Sequence, residues 1–369
     1  MSLKDAPKSE IDSIITLFSN NNLQEALKAS LFLIEEFPSD PLLLNILGAC
    51  HAGLEDLHSA VKNYKKAIAI KSDYAKAHYN LGVAFHELGQ LDESIISYET
   101  SLSIDPNYAE ACLNLGNVYK DNGQFDKAIE SFNNAILIKP DYIEAHFSLS
   151  MVSQELGEFN NMIAHSKKVL EINPNLDMVH NIIGFGFKEL GQLDAAISSY
   201  QDALSINPNN SEAHNNLGNI FEELGKTNQA LKAYKDAIKI SPDFPTLHNN
   251  LGNAFKSLGQ LKDALISYEN ALKHNPDYAE AHNSIGLIFF EQKHYEKAIK
   301  SYQKAINSDQ NFANAHNNLG VVFNKTGQYD DAIQSYKNAL SIRTDYADAL
   351  NNLGVAYKKL GQFDNSIIS

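Results

Sequence analysis

The sequence predicts an all-α fold in which similar pairs of helices stack along one axis as a solenoid. Proline recurs with a period of 34 residues, as Pro106, Pro140 and Pro174 illustrate. Between the prolines, apolar and small residues recur at intervals of three and four, which is the spacing of one face of an α-helix and not of a strand. One such pair cannot bury its apolar face alone, so neighbouring copies must cover one another.

Each repeat is numbered here from position 1 to position 34, and the repeat 109–142 shows the expected elements. Helix A carries Gly116 and Tyr119 at positions 8 and 11, and helix B carries Ala128 and Phe132 at positions 20 and 24. Glycine at position 8 removes a side chain where two helices are expected to approach closely. Glycine also recurs at position 15, where a left-handed residue is expected to end helix A.

The ends of the helices also have sequence signals. Helix A is expected to begin with a capping side chain, because Asn107 stands three residues before Glu110 and Asp277 stands three residues before Glu280. Helix B is expected to end before the repeated proline, which cannot continue a helix.

The repeat divides the chain into segments. We expect an N-terminal tail at 1–6, a degenerate capping repeat at 7–40, nine repeats at 41–346 and a truncated eleventh repeat at 347–369. The first repeat is called degenerate because Ser13 and Ile14 replace the Leu-Gly pair of the others. The last repeat stops inside its second helix, and we therefore expect the chain to be a fragment of a longer protein.

The pattern L-G-x-x-Y/F, then A-x-x-x-Y/F-x-x-A, then P, resembles the tetratricopeptide repeat (TPR) family. The resemblance covers residues 7–369. It implies a right-handed superhelix of about ten full helix-turn-helix units plus one partial unit, with a concave groove lined mainly by the A helices. The chain departs from the family at position 4, where histidine most often replaces a bulky aromatic residue.

Asparagine recurs at positions 5, 6 and 9 of helix A, on the stripe opposite the packing face. Helix propensity does not explain this recurrence, because asparagine is a mediocre helix former. Its amide offers an acceptor and two donors that complement a peptide main chain. TPR arrays bind peptides, and the similar superhelix of O-linked N-acetylglucosamine transferases carries an asparagine ladder. The predicted partner-binding residues are Asn80, Asn114, Asn117, Asn215, Asn216, Asn219, Asn249, Asn250, Asn253, Asn317, Asn318, Asn351 and Asn352.

A second interpretation of this asparagine row stays open. The row is also consistent with a solvated polar surface kept uniform by duplication of repeats. The row is interrupted in the repeat 143–176, which has Ser148 at position 6 and also carries Ser150, Met162 and Val169 where other repeats have glycine or alanine. We expect this repeat to divide the groove into two segments, with neutral drift in one repeat as the alternative.

Composition excludes several classes of partner. The 30 Lys and Arg residues against 45 Asp and Glu residues give a net charge of −15, which is unfavourable for binding nucleic acid or anionic lipid. No apolar run approaches the ~18 residues of a membrane span, and the N-terminus lacks the apolar core of a signal peptide. Cys50 and Cys112 are too few for a disulfide framework. We expect a cytoplasmic protein without nucleic-acid or membrane partners.

No metal, cofactor or catalytic site is expected. Histidine occupies position 4 in seven repeats, but equivalent helices lie at least about 8–10 Å apart, whereas metal ligands lie at ~2 Å. The segment 225–227 reads GKT but lacks the first glycine of a phosphate-binding loop. We expect the position-4 histidines to be packing residues and not metal ligands. They are His78, His146, His180, His214, His248, His282 and His316.

The sequence predicts a non-enzymatic scaffold that binds an extended protein or peptide segment in the groove through the asparagine row. Position 2 is acidic at Glu110, Glu144, Glu212 and Glu280, whereas the TPR members that clamp a terminal carboxylate use Lys and Arg there. A neutral or basic segment fits better. The alternative is the substrate-recruiting region of a larger transferase, similar to O-linked N-acetylglucosamine transferase, with its catalytic domain beyond residue 369. Self-association is left open.

Overall fold

The computed structural model describes residues 6–361. Helices and turns make up this range, which contains no strand, so the all-α prediction is confirmed. The chain divides into two compact units, of which the first ends at Asn175 and the second begins at Leu176. Within each unit, every helix packs against the next helix along the chain, so each unit is a stack of helical hairpins.

The helices of the first unit are α1 (Lys8–Ser19), α2 (Leu23–Glu36), α3 (Pro41–Gly53), α4 (Leu57–Ile70), α5 (Ala75–Glu87), α6 (Leu91–Ile104), α7 (Ala109–Asp121), α8 (Phe125–Ile138), α9 (Ile143–Glu155) and α10 (Phe159–Ile172). The helices of the second unit are α11 (Asp177–Glu189), α12 (Leu193–Ile206), α13 (Ser211–Glu223), α14 (Thr227–Ile240), α15 (Pro245–Ser257), α16 (Leu261–His274), α17 (Ala279–Glu291), α18 (Tyr295–Ser308), α19 (Ala313–Lys325), α20 (Tyr329–Ile342) and α21 (Ala347–Lys359).

The 34-residue repeat is present as predicted. From α3 onward, helix A has 13 residues and occupies positions 1–13, and helix B has 14 residues and occupies positions 17–30. The first repeat forms the same pair, α1 and α2, although it lacks the Leu-Gly signature. In the expected N-terminal tail, Ala6 is buried and its N–H donates to the Asp40 carboxylate at 2.8 Å. Residues 1–5 of that tail, and 362–369 of the eleventh repeat, lie outside the described residues.

Helix A ends at a left-handed residue in position 15. Glycine at this position has φ between 68° at Gly225 and 80° at Gly361, which confirms the sequence prediction. Asn21, Glu55 and Lys293 stand there in three other repeats, at φ of 60°, 63° and 62°. Residues with a Cβ atom are disfavoured in this conformation, asparagine less than most, so the backbone is strained at Glu55 and Lys293.

The structure of the turn between repeats shows that the expected capping of helix A is wrong at Asn107 and Asp277. The helices begin after Tyr108 and Tyr278, which make no side-chain capping bond. Asn107 and Asp277 lie within the turn, and their backbone N–H groups donate to the side chains of Asp105 and Asn275, both at 3.1 Å. Position 31 thus makes an Asx turn, and the spacing that suggests an N-cap reflects this turn.

A glycine–ring contact holds the two helices together in eight of the described repeats. The aromatic ring at position 24 lies directly on the glycine at position 8 of the same repeat. A Cβ atom added to Gly252 would lie 2.6 Å from Tyr268 Cε1, and one added to Gly116 would lie 2.5 Å from Phe132 Cε1. The expected close approach is therefore confirmed, and the group that needs the space is the ring.

The repeat 143–176 replaces this contact by a different packing. Ser150 and Ser166 stand at positions 8 and 24, and their hydroxyl groups are 2.7 Å apart in the core. Met162 and Val169 replace the small residues at positions 20 and 27, and both are fully buried. Larger side chains at positions 20 and 27 thus accompany the loss of the position-24 ring in this repeat.

Histidine at position 4 bonds to the preceding turn, a role beyond the packing expected from the sequence. Its Nε2 lies 2.7–3.2 Å from the carbonyl oxygen of position 32, six residues earlier, and a neutral imidazole protonated on Nε2 donates this bond. The six residues are His78, His146, His214, His248, His282 and His316.

The described part of the chain shows neither a metal cluster nor a membrane-spanning helix. Among residues 6–361, no group of three His, Cys, Asp or Glu side chains is placed to hold a metal ion. No helix in the same range is both long enough and apolar enough to span a membrane.

Replacing Lys293 by glycine is expected to stabilise the protein. Lys293 is exposed and left-handed, so Lys293→Gly removes backbone strain without removing packing. The expected gain in the free energy of unfolding is roughly 0.5–1 kcal/mol, measured by urea denaturation. Lys293→Ala removes the same side chain but keeps a Cβ atom, and an equal gain from this control would contradict the strain argument.

Acidification is expected to destabilise the fold through two histidines, the buried His282 and the half-buried His165. Burial lowers the pKa of His282 below its ordinary value of 6.5, and burial together with the nearby His146 lowers the pKa of His165. The unfolded chain then binds more protons near pH 6.5 than the folded chain does. Stability is therefore fully present above that pH and falls as the pH is lowered through it.

The measurement is the free energy of unfolding at pH 7.5 and pH 5.5. The double variant His165→Gln with His282→Gln is expected to lose less stability between these two pH values than the wild type does. An unchanged difference in the double variant would show that other groups cause the pH dependence.

Candidate functional site

The asparagine row links successive A helices. The Nδ2 of asparagine at position 6 donates to the position-5 side chain of the preceding repeat, 35 residues earlier. We call these bonds the amide ladder. Its asparagine pairs are Asn80–Asn45 at 2.9 Å, Asn216–Asn181 at 3.2 Å, Asn250–Asn215 at 3.0 Å, Asn318–Asn283 at 2.9 Å and Asn352–Asn317 at 3.1 Å. Asn114 donates in the same way to the Tyr79 hydroxyl at 3.0 Å.

Positions 5 and 6 differ in how deeply their side chains are buried. Asn249 and Asn317, both at position 5, are each 6% exposed because the A helix of the next repeat covers them. Asn215 is half-buried, and Asn351 in α21 is exposed. The position-6 residues are half-buried at the edge of the same contact, namely Asn80, Asn114, Asn216, Asn250, Asn318 and Asn352. Position 5 therefore faces the neighbouring repeat, and position 6 faces both that repeat and solvent.

The amide ladder is a structural role that the sequence analysis missed. A helical wheel places positions 5 and 6 opposite the contact within a repeat, and it contains no information about contacts between repeats. The signal was nevertheless present, because asparagine at position 6 is repeatedly preceded 35 residues earlier by asparagine at position 5, as with Asn250 and Asn215. Two amides at that spacing meet if neighbouring A helices pack side by side.

Position 9 carries two exposed amides of the second unit. Asn219 and Asn253 are exposed, and the Oδ1 of each accepts a hydrogen bond at 2.8 Å from the hydroxyl of Tyr234 and Tyr268, respectively. Burial raises the pKa of Tyr268 to about 12 and raises the pKa of Tyr234 as well, so both hydroxyl groups stay protonated and donate. These bonds orient the two amides and leave their Nδ2 groups without a bond to another described residue.

Asn117 is the third position-9 asparagine, and it lies in the first unit. It is half-buried, and the Ser148 hydroxyl is 3.5 Å from its Oδ1. Ser148 is the residue that interrupts the asparagine row at position 6. Its hydroxyl group therefore reaches the amide at position 9 of the preceding repeat, and the interruption keeps a polar contact.

Charged residues on the same face pair with one another. Acidic residues also recur at position 13 of helix A, and two of them contact position-12 lysines, in Lys188–Glu189 at 2.6 Å and in Lys256–Glu291 at 4.0 Å. These pairs are partly exposed, so each contributes little stability. In these two pairs the lysine offsets the charge of the glutamate.

The amide ladder has a gap in the second unit. Asn249 Oδ1 is buried and accepts no hydrogen bond from another described residue. At the following repeat, position 6 is Ser284, whose shorter side chain replaces the asparagine found at other junctions. A buried acceptor without a partner costs about 1–3 kcal/mol.

Ser284→Asn is expected to close this gap and raise the free energy of unfolding. The new Nδ2 group would donate to Asn249 Oδ1, as Asn318 donates to Asn283, with a gain of about 0.5–1.5 kcal/mol in urea denaturation. Ser284→Asp has nearly the same shape but lacks the N–H donor. If the aspartate variant is as stable as the asparagine variant, the hydrogen bond is not the cause.

Comparison with solved structures supports the fold. Yeast Tom70 is similar at a TM-score of 0.51 with 17% identity, covering 98% of this chain and 90% of that chain, and this likeness concerns the fold alone. MamA has 26% identity and a TM-score of 0.42 over 44% of this chain and 95% of its own. YrrB, described as a TPR protein with an unusual peptide-binding site, has 21% identity and a TM-score of 0.40 over 50% and 95%. No curated protein sequence matches the chain.

Family models match most of the chain. The TPR repeat model matches residues 54–89, 84–123, 186–225, 218–259, 252–293, 286–327 and 322–361. Two tetratricopeptide repeat models match residues 109–142 and 143–176. The last two ranges coincide with two of the repeats described above, and the chain belongs to the tetratricopeptide repeat family.

Proposed function

We propose that this protein is an interaction scaffold that holds an extended segment of another protein along the exposed surface of its A helices. The observation that carries the proposal is the pair of oriented amides at Asn219 and Asn253, one repeat apart. Both side chains are exposed, and each is held by a buried tyrosine hydroxyl. Membership of the TPR family supports the proposal, because arrays of this family bind peptides.

The chemistry of these amides suits a peptide main chain. The Nδ2 groups of Asn219 and Asn253 can donate to peptide carbonyl groups. The position-6 residues Asn216 and Asn250 use Nδ2 in the amide ladder, and their carbonyl oxygens can accept from peptide N–H groups. Such contacts involve the partner's backbone, so they depend little on its side chains.

The structure narrows the residues proposed for binding. Asn249 and Asn317 lie in the contact between repeats at 6% exposure, where a partner cannot reach them. The proposal therefore rests on the other predicted residues, namely Asn80, Asn114, Asn117, Asn215, Asn216, Asn219, Asn250, Asn253, Asn318, Asn351 and Asn352. A neutral or basic partner segment is favoured, because acidic residues recur at positions 2 and 13 of these helices.

Selection of a randomised 15-residue peptide display library on the full 369-residue chain tests the proposal. Affinities of selected peptides are then measured by fluorescence anisotropy. The double variant Asn219→Ala with Asn253→Ala is expected to bind about tenfold more weakly, because two hydrogen bonds of ~0.5–1.5 kcal/mol each are lost. Far-ultraviolet circular dichroism checks that the helices are intact.

The matched control removes two exposed asparagines from B helices, Asn228 of α14 and Asn270 of α16. Asn228→Ala with Asn270→Ala is expected to leave peptide affinity unchanged. Equal affinities of the two double variants, or a library that yields no binding peptide, would contradict the proposal.

A further inference from the structure

The aromatic ring at position 34, just before helix A, is contacted in several repeats by a cationic side chain of the same protein. The lysine or arginine at position 31 covers the ring in three repeats. Lys71 Nζ is 5.4 Å from the centre of the Tyr74 ring, Lys139 Nζ is 4.2 Å from that of Tyr142, and Arg343 Cζ is 3.5 Å from that of Tyr346. A cation over an aromatic face at these distances is attracted by the ring electrons.

Position 2 supplies the cation in a fourth case. Lys76, at position 2 of α5, donates to the Tyr108 hydroxyl at 2.7 Å, and its Nζ is 5.5 Å from the centre of that ring and 4.6 Å from the centre of the Tyr79 ring. The ammonium group thus lies between the aromatic residues at position 5 and position 34. The N-termini of α5 and α7 are close by, and a helix N-terminus carries a partial positive charge. The ammonium group occupies this place despite that unfavourable charge.

Phe244 differs from these four residues. It is 63% exposed, and the two positions that supply a cation elsewhere are Ser241 at position 31 and Glu212 at position 2 of the preceding repeat. Neither residue is basic, and Glu212 carries the opposite charge. Glu212 is exposed and makes no ion pair with another described residue.

A cavity of about 380 Å³ opens beside the Phe244 ring. Glu212, Asn215 and Ser241 provide its polar lining, and Leu247 adds an apolar wall beside the ring. The Asn215 Oδ1 is used in the amide ladder, and the Glu212 carboxylate has free acceptor capacity. The cavity therefore combines an aromatic face, an apolar wall for a methylene chain and an anion.

We propose that this cavity binds an arginine or lysine side chain of a partner protein, with the cation between the Phe244 ring and the Glu212 carboxylate. The apolar stem of such a side chain would pack on Leu247 while its charged end meets the carboxylate. The arrangement reproduces the place of Lys76 in the first unit, with the cation supplied from outside. This inference rests on the proposed function, since the basic residue belongs to the bound segment.

Two matched peptides test the inference. One is an eight-residue Gly-Ser peptide with a single central arginine, and the other carries citrulline, which has the same shape without the charge. Each is titrated into the full chain, and binding is followed by methyl NMR of Leu247. The arginine peptide is expected to shift the Leu247 methyl signals saturably, with an affinity about three- to tenfold higher than that of the citrulline peptide.

Substitutions in the cavity test whether the arginine peptide binds there. Glu212→Gln and Phe244→Leu are each expected to weaken the arginine peptide about three- to tenfold. The controls are Glu280→Gln, which makes the same charge change at position 2 of another repeat, and Phe32→Leu, which removes a ring that is 76% exposed in the first unit. Both controls are expected to bind the arginine peptide as the wild type does.

Equal affinities for arginine and citrulline peptides, no shift of Leu247, or equal effects of Glu212→Gln and Glu280→Gln would overturn the inference. These results are distinguishable from failure of the proposed function. Library peptides that depend on Asn219 and Asn253 but show no basic preference would leave the scaffold standing without this pocket. If the arginine peptide shifts the Leu247 signals but no library peptide depends on those asparagines, the cavity binds a cation and the proposed scaffold surface is wrong.

Discussion

The contact between a position-24 ring and the bare Cα of a position-8 glycine is the constraint on which eight of the described repeats depend. Tyr268 lies so close to Gly252 that no Cβ atom could fit between them. The two helices can therefore approach only with this pairing of a large and an absent side chain. The contact lies within one repeat, whereas the buried apolar clusters join helix B of one repeat to helix A of the next, as Tyr268 and Ile285 illustrate, so stacking completes the core.

The exception at 143–176 shows that the constraint concerns the pair of positions and not glycine alone. Ser150 occurs together with Ser166, so the repeat has neither the glycine nor the ring. A buried hydrogen bond joins the two hydroxyl groups, and Met162 and Val169 fill the core around them. Interior packing density is conserved by exchanging volume between positions.

Asparagine serves two purposes on one helix face. At positions 5 and 6 it joins neighbouring A helices, and at position 9 its orientation is set by a buried tyrosine. The same amide chemistry explains both roles, because an amide can donate and accept at once. The position-6 amides take their geometry from the stacking, and the position-9 amides take theirs from a tyrosine of the same repeat, so the proposed binding surface depends in part on the contact between repeats.

The period, the helix pairs, the left-handed helix ends and the positions of the small residues were all predictable from the sequence, because each follows from local backbone preferences and from a pattern seen many times. The capping of helix A was predicted wrongly at Asn107 and Asp277, since one spacing suits both an N-cap and an Asx turn. The amide ladder, the position-4 histidine bond and the exposed ring of Phe244 required the folded chain. They depend on which surfaces meet between repeats and turns, and a single helix carries no information about its neighbour's position.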